Sequence, residues 1–250
     1  MKDVRAKKHL GQHFLNDLRI ASDITTLLSE NTKNVIEIGP GMGILTQFLL
    51  KKDYKTQVVE IDRESVSYLR RNYPNLNIHD GDFLKINLKE KYPFSFALIG
   101  NFPYNISSQI LFKVFENKDQ IPEIVGMFQK EVAERIVCKK GKKKGILSVL
   151  LQVFYDIEYC FTVNEDVFIP PPKVKSGVIK LTRNNREHLP VDEKKFKQIV
   201  KAAFNQKRKT LRNSLKAFEL INKQKITDLL NLRAEQLSVD NFITLTDHVR

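Results

Sequence analysis

Two hydrophobic periods alternate along the first 180 residues of the chain. Apolar and polar positions that alternate mark strands, and apolar recurrence every three to four residues marks helices. Residues 17–29 place Ile20, Ile24, Leu27 and Leu28 on one helical face. Strand-type segments follow at 34–38, 57–62, 77–79, 94–99 and 124–128, interleaved with helix-type segments at 44–52, 65–72, 109–115 and from 129 onward. A helix over 145–154, a strand near 158–163 and a last strand over 178–181 complete this part. Between the last two, Phe168-Ile-Pro-Pro-Pro-Lys-Val174 is expected to be extended, because three prolines exclude both a helix interior and a central strand. Strands alternating with helices predict an α/β protein with a doubly wound sheet. From about residue 190 the strand signal ends and only helical periodicity remains. The expected division is therefore a first domain over 1–185 and a helical second domain over 186–250.

Charge adds what periodicity does not. The 250 residues, 42% of them hydrophobic, suffice for a full α/β core and a small second domain. The chain carries 42 Lys and Arg against 29 Asp and Glu, a net charge of +13. Residues 183–250 hold 15 basic and 8 acidic residues, and 201–216 hold six basic residues and no acid. Such an excess favours a polyanionic partner, with nucleic acid ahead of an anionic membrane surface. A second basic run, Lys139-Lys-Gly-Lys-Lys-Lys144, is bounded by Gly145 and reads either as solvated charge or as a phosphate contact.

Cys138 and Cys160 show neither metal-ligand spacing nor a disulfide framework. They read as small buried residues suited to a reducing compartment, and no metal is expected. The first eight residues carry charge with no apolar stretch behind them, and the most apolar run, 146–155, is too short to span a bilayer. A cytoplasmic protein without a membrane anchor is expected.

The first strand runs into Glu37-Ile-Gly-Pro-Gly-Met-Gly43, so strand, glycine turn and helix open a nucleotide-binding unit. The spacing is E-x-G-x-G-x-G, with the third glycine one residue earlier than in the dinucleotide fingerprint. That fingerprint serves a pyrophosphate at a helix N-terminus. S-adenosylmethionine has no phosphate, and a turn for it need only let backbone pass close to the ligand. Glu60 ends the second strand about 20 residues on, where a carboxylate accepts from ribose hydroxyls. Asp82, in Asp80-Gly-Asp82, is placed to accept from an adenine amino group. On this turn alone a nicotinamide cofactor stays open.

The fourth strand delivers Gly100-Asn-Phe-Pro-Tyr-Asn-Ile-Ser-Ser108 to the sheet edge where ligands bind in open α/β folds. With a methyl donor in that crevice, the Asn101 side-chain oxygen and the Phe102 carbonyl suit the two N–H groups of an exocyclic amine. Both acceptors draw the nitrogen toward tetrahedral geometry and free its conjugated lone pair. Pro103 holds the two carbonyls in place, and the Tyr104 ring stacks on a flipped base. No strong general base is required, because the charged product amine loses its proton readily. His13 is assigned to cofactor contact.

These motifs together resemble the small-subunit (16S) rRNA adenine N6-dimethyltransferase family (KsgA/RsmA), which is related to the Erm methyltransferases. The segments that carry the resemblance are Leu10-Gly-Gln-His-Phe-Leu-Asn-Asp17, Glu37 to Gly43, Val59-Glu-Ile-Asp62, Gly81-Asp82, Asn101-Phe-Pro-Tyr-Asn-Ile-Ser107, Gln129-Lys-Glu-Val132 and Phe168-Ile-Pro-Pro-Pro-Lys-Val-Lys-Ser176. Singly several are weak, but in this order they are specific and cover nearly the whole chain. The resemblance implies a Rossmann-like S-adenosylmethionine-dependent methyltransferase fold with a small C-terminal helical domain. It implies dimethylation of two adjacent adenosines in the 3′-terminal hairpin loop of 16S rRNA, by a monomer acting on the assembling small subunit.

Carried onto matching positions, His13, Leu15, Gly39, Glu60, Asp82 and Asn101 contact the cofactor. Asn101 and Tyr104 shape the amine site, and Phe168 offers a second stacking face. Lys207, Arg208, Lys209 and Arg212, within Phe204 to Leu215, read as RNA phosphate contacts. That basic segment, with Arg233-Ala-Glu-Gln-Leu-Ser-Val239, resembles the small-subunit branch and speaks against an Erm-like substrate. A non-catalytic factor on the same fold has no use for an intact amine clamp, and no hydride-transfer group supports a dehydrogenase. One departure stands out: position 102, usually Leu in the family, is Phe here, which leaves open whether its ring reshapes the adenine pocket.

Overall fold

The computed structural model describes residues 4–250, so the first three residues of the basic opening lie outside the described residues. After a short 3₁₀ turn at Lys8–Leu10 come strand β1 (Phe14–Leu15) and helix α1 (Leu18–Thr26). Asp17 starts that helix, its side chain accepting from the Arg19 and Ile20 amides. Then come β2 (Asn34–Ile38), α2 (Thr46–Leu49), β3 (Lys55–Glu60), α3 (Arg63–Asn72), β4 (Asn77–Asp80), α4 (Leu88–Lys91), β5 (Ala97–Asn101), α5 (Ser107–Glu116), β6 (Glu123–Gln129) and α6 (Lys130–Val137). They are followed by α7 (Ile146–Phe154), β7 (Tyr155–Val163), β8 (Phe168–Ile169) and β9 (Ser176–Arg183). Helices α8 (Glu193–Asn205), α9 (Leu211–Ser214), α10 (Thr227–Asn231) and α11 (Val239–Asp247) complete the chain.

Seven strands form one sheet in the order β4-β3-β2-β5-β6-β9-β7. The run from β4 to β6 is parallel, and β9 pairs antiparallel with β6. Successive strands step outward from β2 in one direction and from β5 in the other, so the carboxyl ends of β2 and β5 flank the topological switch point. The central strands are buried on both faces, including Val35 to Ile38 and Ala97 to Gly100. Coverage on both faces is what a parallel sheet with crossover helices imposes. The proline-bearing segment is extended as expected, and β8 within it pairs with β1, setting Leu15 opposite Phe168 and Phe14 opposite Ile169.

The chain divides into two compact units. One contains the residues up to Ala133 together with Ile157–Arg183; the other contains Glu134–Asp156 and Asn184–Arg250. The expected single cut between 185 and 186 lies close to the third crossing, at 183/184, and the compact division also places 134–156 in the second unit. The cause is α7, which buries Ser148, Val149, Leu150, Leu151, Val153 and Phe154 and packs on α8 and α11. Periodicity reports that a helix has an apolar face and is silent about which neighbour covers it. The second unit centres on Phe196, Ile199 and Val200 of α8 with Phe242 and Leu245 of α11, and the Phe204 and Phe242 rings stack at 5.9 Å. Cys138 and Cys160 are free thiols, half-buried where full burial was expected.

Candidate active site

Within the first unit a cleft that opens to solvent lies at the carboxyl ends of β2, β3 and β5. Its walls come from the glycine turn after β2, the tip of β3, the turn after β4, the Asn101 to Ile106 segment and residues 10–14. The lining contains two carboxylates, Glu60 and Asp82, and no lysine or arginine among the described residues. In a chain of net charge +13 that is informative. A pyrophosphate would find no cation here, whereas a sulfonium bearing an ammonium group meets only carboxylates and neutral groups. This lining fits S-adenosylmethionine.

The glycine turn is as tight as its spacing predicts. Gly39, Gly41 and Gly43 all have positive φ, and at Gly41 (φ +58) a Cβ would sit 2.7 Å from the Phe14 ring. Only glycine serves at that position, for both backbone and steric reasons. Glu60 is 3% exposed and braces this turn, accepting from the Gly41 amide at 3.0 Å and from the Asp62 amide at 2.8 Å. Each carboxylate oxygen keeps a second lone pair for a ribose hydroxyl. Burial pushes the Glu60 carboxyl above the usual range, and the amide bonds oppose that shift. Beneath the turn Glu37 is wholly buried and accepts from the Thr46 hydroxyl at 2.6 Å, tying the end of β2 to the start of α2. Burial raises its pKa to about 8, so it carries a proton at neutral pH.

Asp82 lies at the turn after β4, where one oxygen accepts from the Leu84 amide at 2.9 Å and the other accepts no hydrogen bond among the described residues. The short helical turn that follows, Phe83–Lys85, is held by a residue the sequence did not single out. Lys113 on α5 donates to the carbonyls of Phe83, Leu84 and Ile86 at 2.8, 2.9 and 2.6 Å. One ammonium thus uses all three of its hydrogens on a wall of the cleft. Burial lowers its pKa, partly offset by Asp82.

At the end of β5 the Asn101 amide nitrogen donates to the His13 carbonyl at 2.8 Å. This bond fixes which end of the amide is spoken for and leaves Oδ1 as a free acceptor at the cleft. The Phe102 amide donates to the Met127 carbonyl at 3.2 Å, while its own carbonyl accepts no hydrogen bond among the described residues. Tyr104 is held by Ser176, with 2.6 Å between the two hydroxyls, and its ring lies 5.4 Å from the His13 imidazole. Burial raises the Tyr104 pKa, which keeps the phenol neutral. The imidazole in turn contacts the Pro170 carbonyl at 2.8 Å.

The ring of Phe102 settles the one departure noted in the sequence. It is fully buried, 5.0 Å from the Phe128 ring. It lies over Gly100 and Gly126, which are opposite each other on β5 and β6. A Cβ on Gly126 would be 2.4 Å from that ring. The ring is thus packed against the backbone of β5 and β6, while Phe102 also contributes to the cleft lining.

Of the expected cofactor residues, His13, Gly39, Glu60, Asp82 and Asn101 line the cleft, and Tyr104 stands beside them. Leu15 and Phe168 do not. They pair across β1 and β8 and are packed into the core, with Phe168 only 2% exposed. Alternation along a two-stranded ribbon sends every second side chain inward, and the Phe168 ring would have to be uncovered before a base could stack on it. Gln12, Phe14 and Asn105 also line the cleft; all lie in motif-bearing stretches whose spacing assigns them no role.

A family model described as "Ribosomal RNA adenine dimethylase" matches residues 4–249. The chain belongs to this family. Among similar proteins is the ribosomal RNA small subunit methyltransferase A of Cytophaga hutchinsonii, 60% identical over 253 residues that cover 99% of this chain and 98% of that protein. The protein of the same name from Flavobacterium johnsoniae is 59% identical, covering 100% of this chain and 97% of its own. The crystal structure of a dimethyladenosine transferase from Plasmodium falciparum superposes with a TM-score of 0.80 at 25% identity, over 95% of this chain and 99% of that one. The 23S rRNA methyltransferase ErmE shares the fold, with a TM-score of 0.75 at 23% identity over 94% of this chain and 99% of that one. Membership of the dimethylase family accounts for a cleft lined by carboxylates and neutral groups, since its enzymes transfer methyl groups from S-adenosylmethionine.

The four basic residues expected to meet RNA, Lys207, Arg208, Lys209 and Arg212, lie in the second unit. Arg208 and Lys209 are exposed with no ion pair among the described residues. Arg212 donates to the Asn231 side chain at 3.2 Å. The Lys207 ammonium is engaged by backbone, donating to the carbonyls of Lys142 at 2.6 Å and Lys144 at 3.1 Å. No helix among the described residues is long and apolar enough to cross a membrane.

Proposed function

We propose that this enzyme dimethylates N6 of two adjacent adenosines in the 3′-terminal hairpin loop of 16S rRNA, acting as a cytoplasmic monomer on the small ribosomal subunit during its biogenesis. The observation that carries the chemistry is the Asn101 amide, whose nitrogen is committed to the His13 carbonyl and whose oxygen is not. The choice of RNA follows from the names of relatives near 60% identity.

S-adenosylmethionine, when bound, supplies an electrophilic methyl group on sulfur. Glu60 holds its ribose hydroxyls, Asp82 accepts from its adenine amine, and the glycine turn admits it against backbone. On the substrate side, Asn101 Oδ1 and the Phe102 carbonyl each accept one N–H of the adenosine N6 amine. The amine nitrogen then has a localised lone pair aimed away from both acceptors. Tyr104, fixed by Ser176, presents a face to the base, and that face becomes more favourable as positive charge develops on nitrogen. The proton leaves after transfer, when the amine is cationic. The second methylation uses the same acceptors with one N–H fewer, so one of the two becomes dispensable in that step.

The deciding experiment is methyl transfer from labelled cofactor to small subunits that lack the modification, with the modified bases mapped. Two adjacent dimethyladenosines near the 16S 3′ end are expected. Labelling of free 23S rRNA and not of small subunits would overturn the proposal. Asn101→Ala should reduce transfer by on the order of 10²-fold or more, the scale of removing one aligned polar partner from a reacting centre, while cofactor affinity, measured by calorimetry, changes far less. An unaffected rate would remove the amine clamp.

A further inference from the structure

In the second unit, the run Lys139 to Lys144 is not a loose solvated loop. The Lys144 side chain turns inward and is 1% exposed. Its ammonium donates to the Lys139 carbonyl at 2.8 Å and the Leu237 carbonyl at 2.6 Å. The Gly141 amide donates to the Glu235 carbonyl at 3.1 Å, and the Lys144 amide closes a turn on the Gly141 carbonyl at 2.9 Å. From the other side, Lys207 donates to the carbonyls of Lys142 and Lys144. Two of the basic residues are therefore used to fix backbone, and their like-charged neighbours are held close together despite mutual repulsion. Lys139, Lys140 and Lys142 project into solvent with no ion pair among the described residues, and Lys143 is paired with Glu134. Arg208 and Lys209 follow Lys207 directly and are exposed as well. Holding free cations in register costs electrostatic free energy, which only a dense line of negative charge such as an RNA backbone offsets on binding.

We infer that Lys139, Lys140 and Lys142 form, with Arg208 and Lys209, one RNA phosphate-binding surface, and that Lys207 acts within it by positioning the 139–144 loop and not by contacting phosphate. This rests on the RNA-methylating role proposed above. It extends the RNA-binding surface to a loop 65 residues upstream of the basic segment, and it reassigns Lys207.

The test is the salt dependence of binding to unmodified small subunits, read as the slope of log affinity against log salt. Each phosphate that the protein no longer neutralises should reduce the slope by about 0.7–0.9, so Lys139→Gln, Lys140→Gln and Lys142→Gln together should reduce it by about 2–3 with cofactor affinity unchanged. Adding Lys207→Gln to this triple variant should leave the slope where it is, because its effect passes through side chains already removed. A wild-type slope in the triple variant would overturn the loop assignment. A further decrease of about one unit on adding Lys207→Gln would overturn the positioning role and return Lys207 to phosphate binding. If wild-type protein itself shows no salt-dependent binding to these subunits, the proposed substrate fails along with the inference. Cofactor affinity reports separately that each variant is folded.

Discussion

Glu37 shows how one buried group sets a pH dependence for the fold. Its ordinary pKa is 4.5 and its folded value is about 8, so between those limits the folded state keeps a proton the unfolded chain has lost. Stability contributed by this site is therefore complete below about pH 4.5, declines as pH rises through the window and is lost above about pH 8. The slope has a ceiling of about 1.4 kcal/mol per pH unit. Glu37→Gln retains an acceptor for the Thr46 hydroxyl and has no charge to suppress. Urea denaturation without cofactor should show the variant gaining on wild type between pH 5.5 and 8. A difference independent of pH would mean that Glu37 is ionised in the fold. Asn101 makes the complementary point that a side chain's chemistry is decided by what its other end is doing.

At the scale of elements, the Asn101 segment works because β5 and β6 approach closely. Gly100 and Gly126 face each other across the ladder and leave room for the Phe102 ring, which anchors the backbone whose carbonyl faces the amine. Gly126→Ala should destabilise the protein by about 1–3 kcal/mol through overpacking. Combined with Phe102→Leu it should cost less than the sum of the two single variants; additivity in denaturant titrations would show that the ring does not fill that space. Lys113 links a second pair of elements, α5 and the turn after β4. Lys113→Met leaves three carbonyls without their donor and should weaken S-adenosylhomocysteine binding about tenfold, equivalent to about 1.4 kcal/mol. The loss should be smaller for an analogue lacking the 6-amino group, because the proposed partner of that group is Asp82. Calorimetry on both ligands checks this, and equal losses would remove Lys113 from adenine recognition.

Over the whole molecule, charge is sorted by task. The cleft of the first unit is lined by carboxylates and neutral groups, and the free cations described above belong to the second. Cofactor binding should therefore be nearly insensitive to ionic strength between about 50 and 200 mM, roughly the range over which multi-phosphate RNA binding weakens by orders of magnitude. Cofactor affinity that fell in parallel with RNA affinity would indicate an anionic group held by cations at the cleft.

The strand–turn–helix signal, the glycine turn and Glu60 were legible in the sequence because they rest on local physics. A turn that needs positive φ selects glycine, and a carboxylate at a strand tip follows from the length of the unit that carries it. The Asn101 stretch was legible for the same reason, as the end of one strand. The burial of the Leu15 and Phe168 side chains came from pairing across about 150 residues, which turned both inward. Likewise, the assignment of 134–156 to the second unit, the support of the cleft wall by Lys113, and the diversion of Lys207 to backbone all depend on contacts between distant segments. Fold class, the glycine turn and the position of Asn101 at the end of a strand were thus inherent in the order of residues, since they arise from near neighbours and chain geometry. Which side chains are free to act was settled by tertiary contacts alone, because a polar group's role depends on whether another part of the chain has already satisfied it.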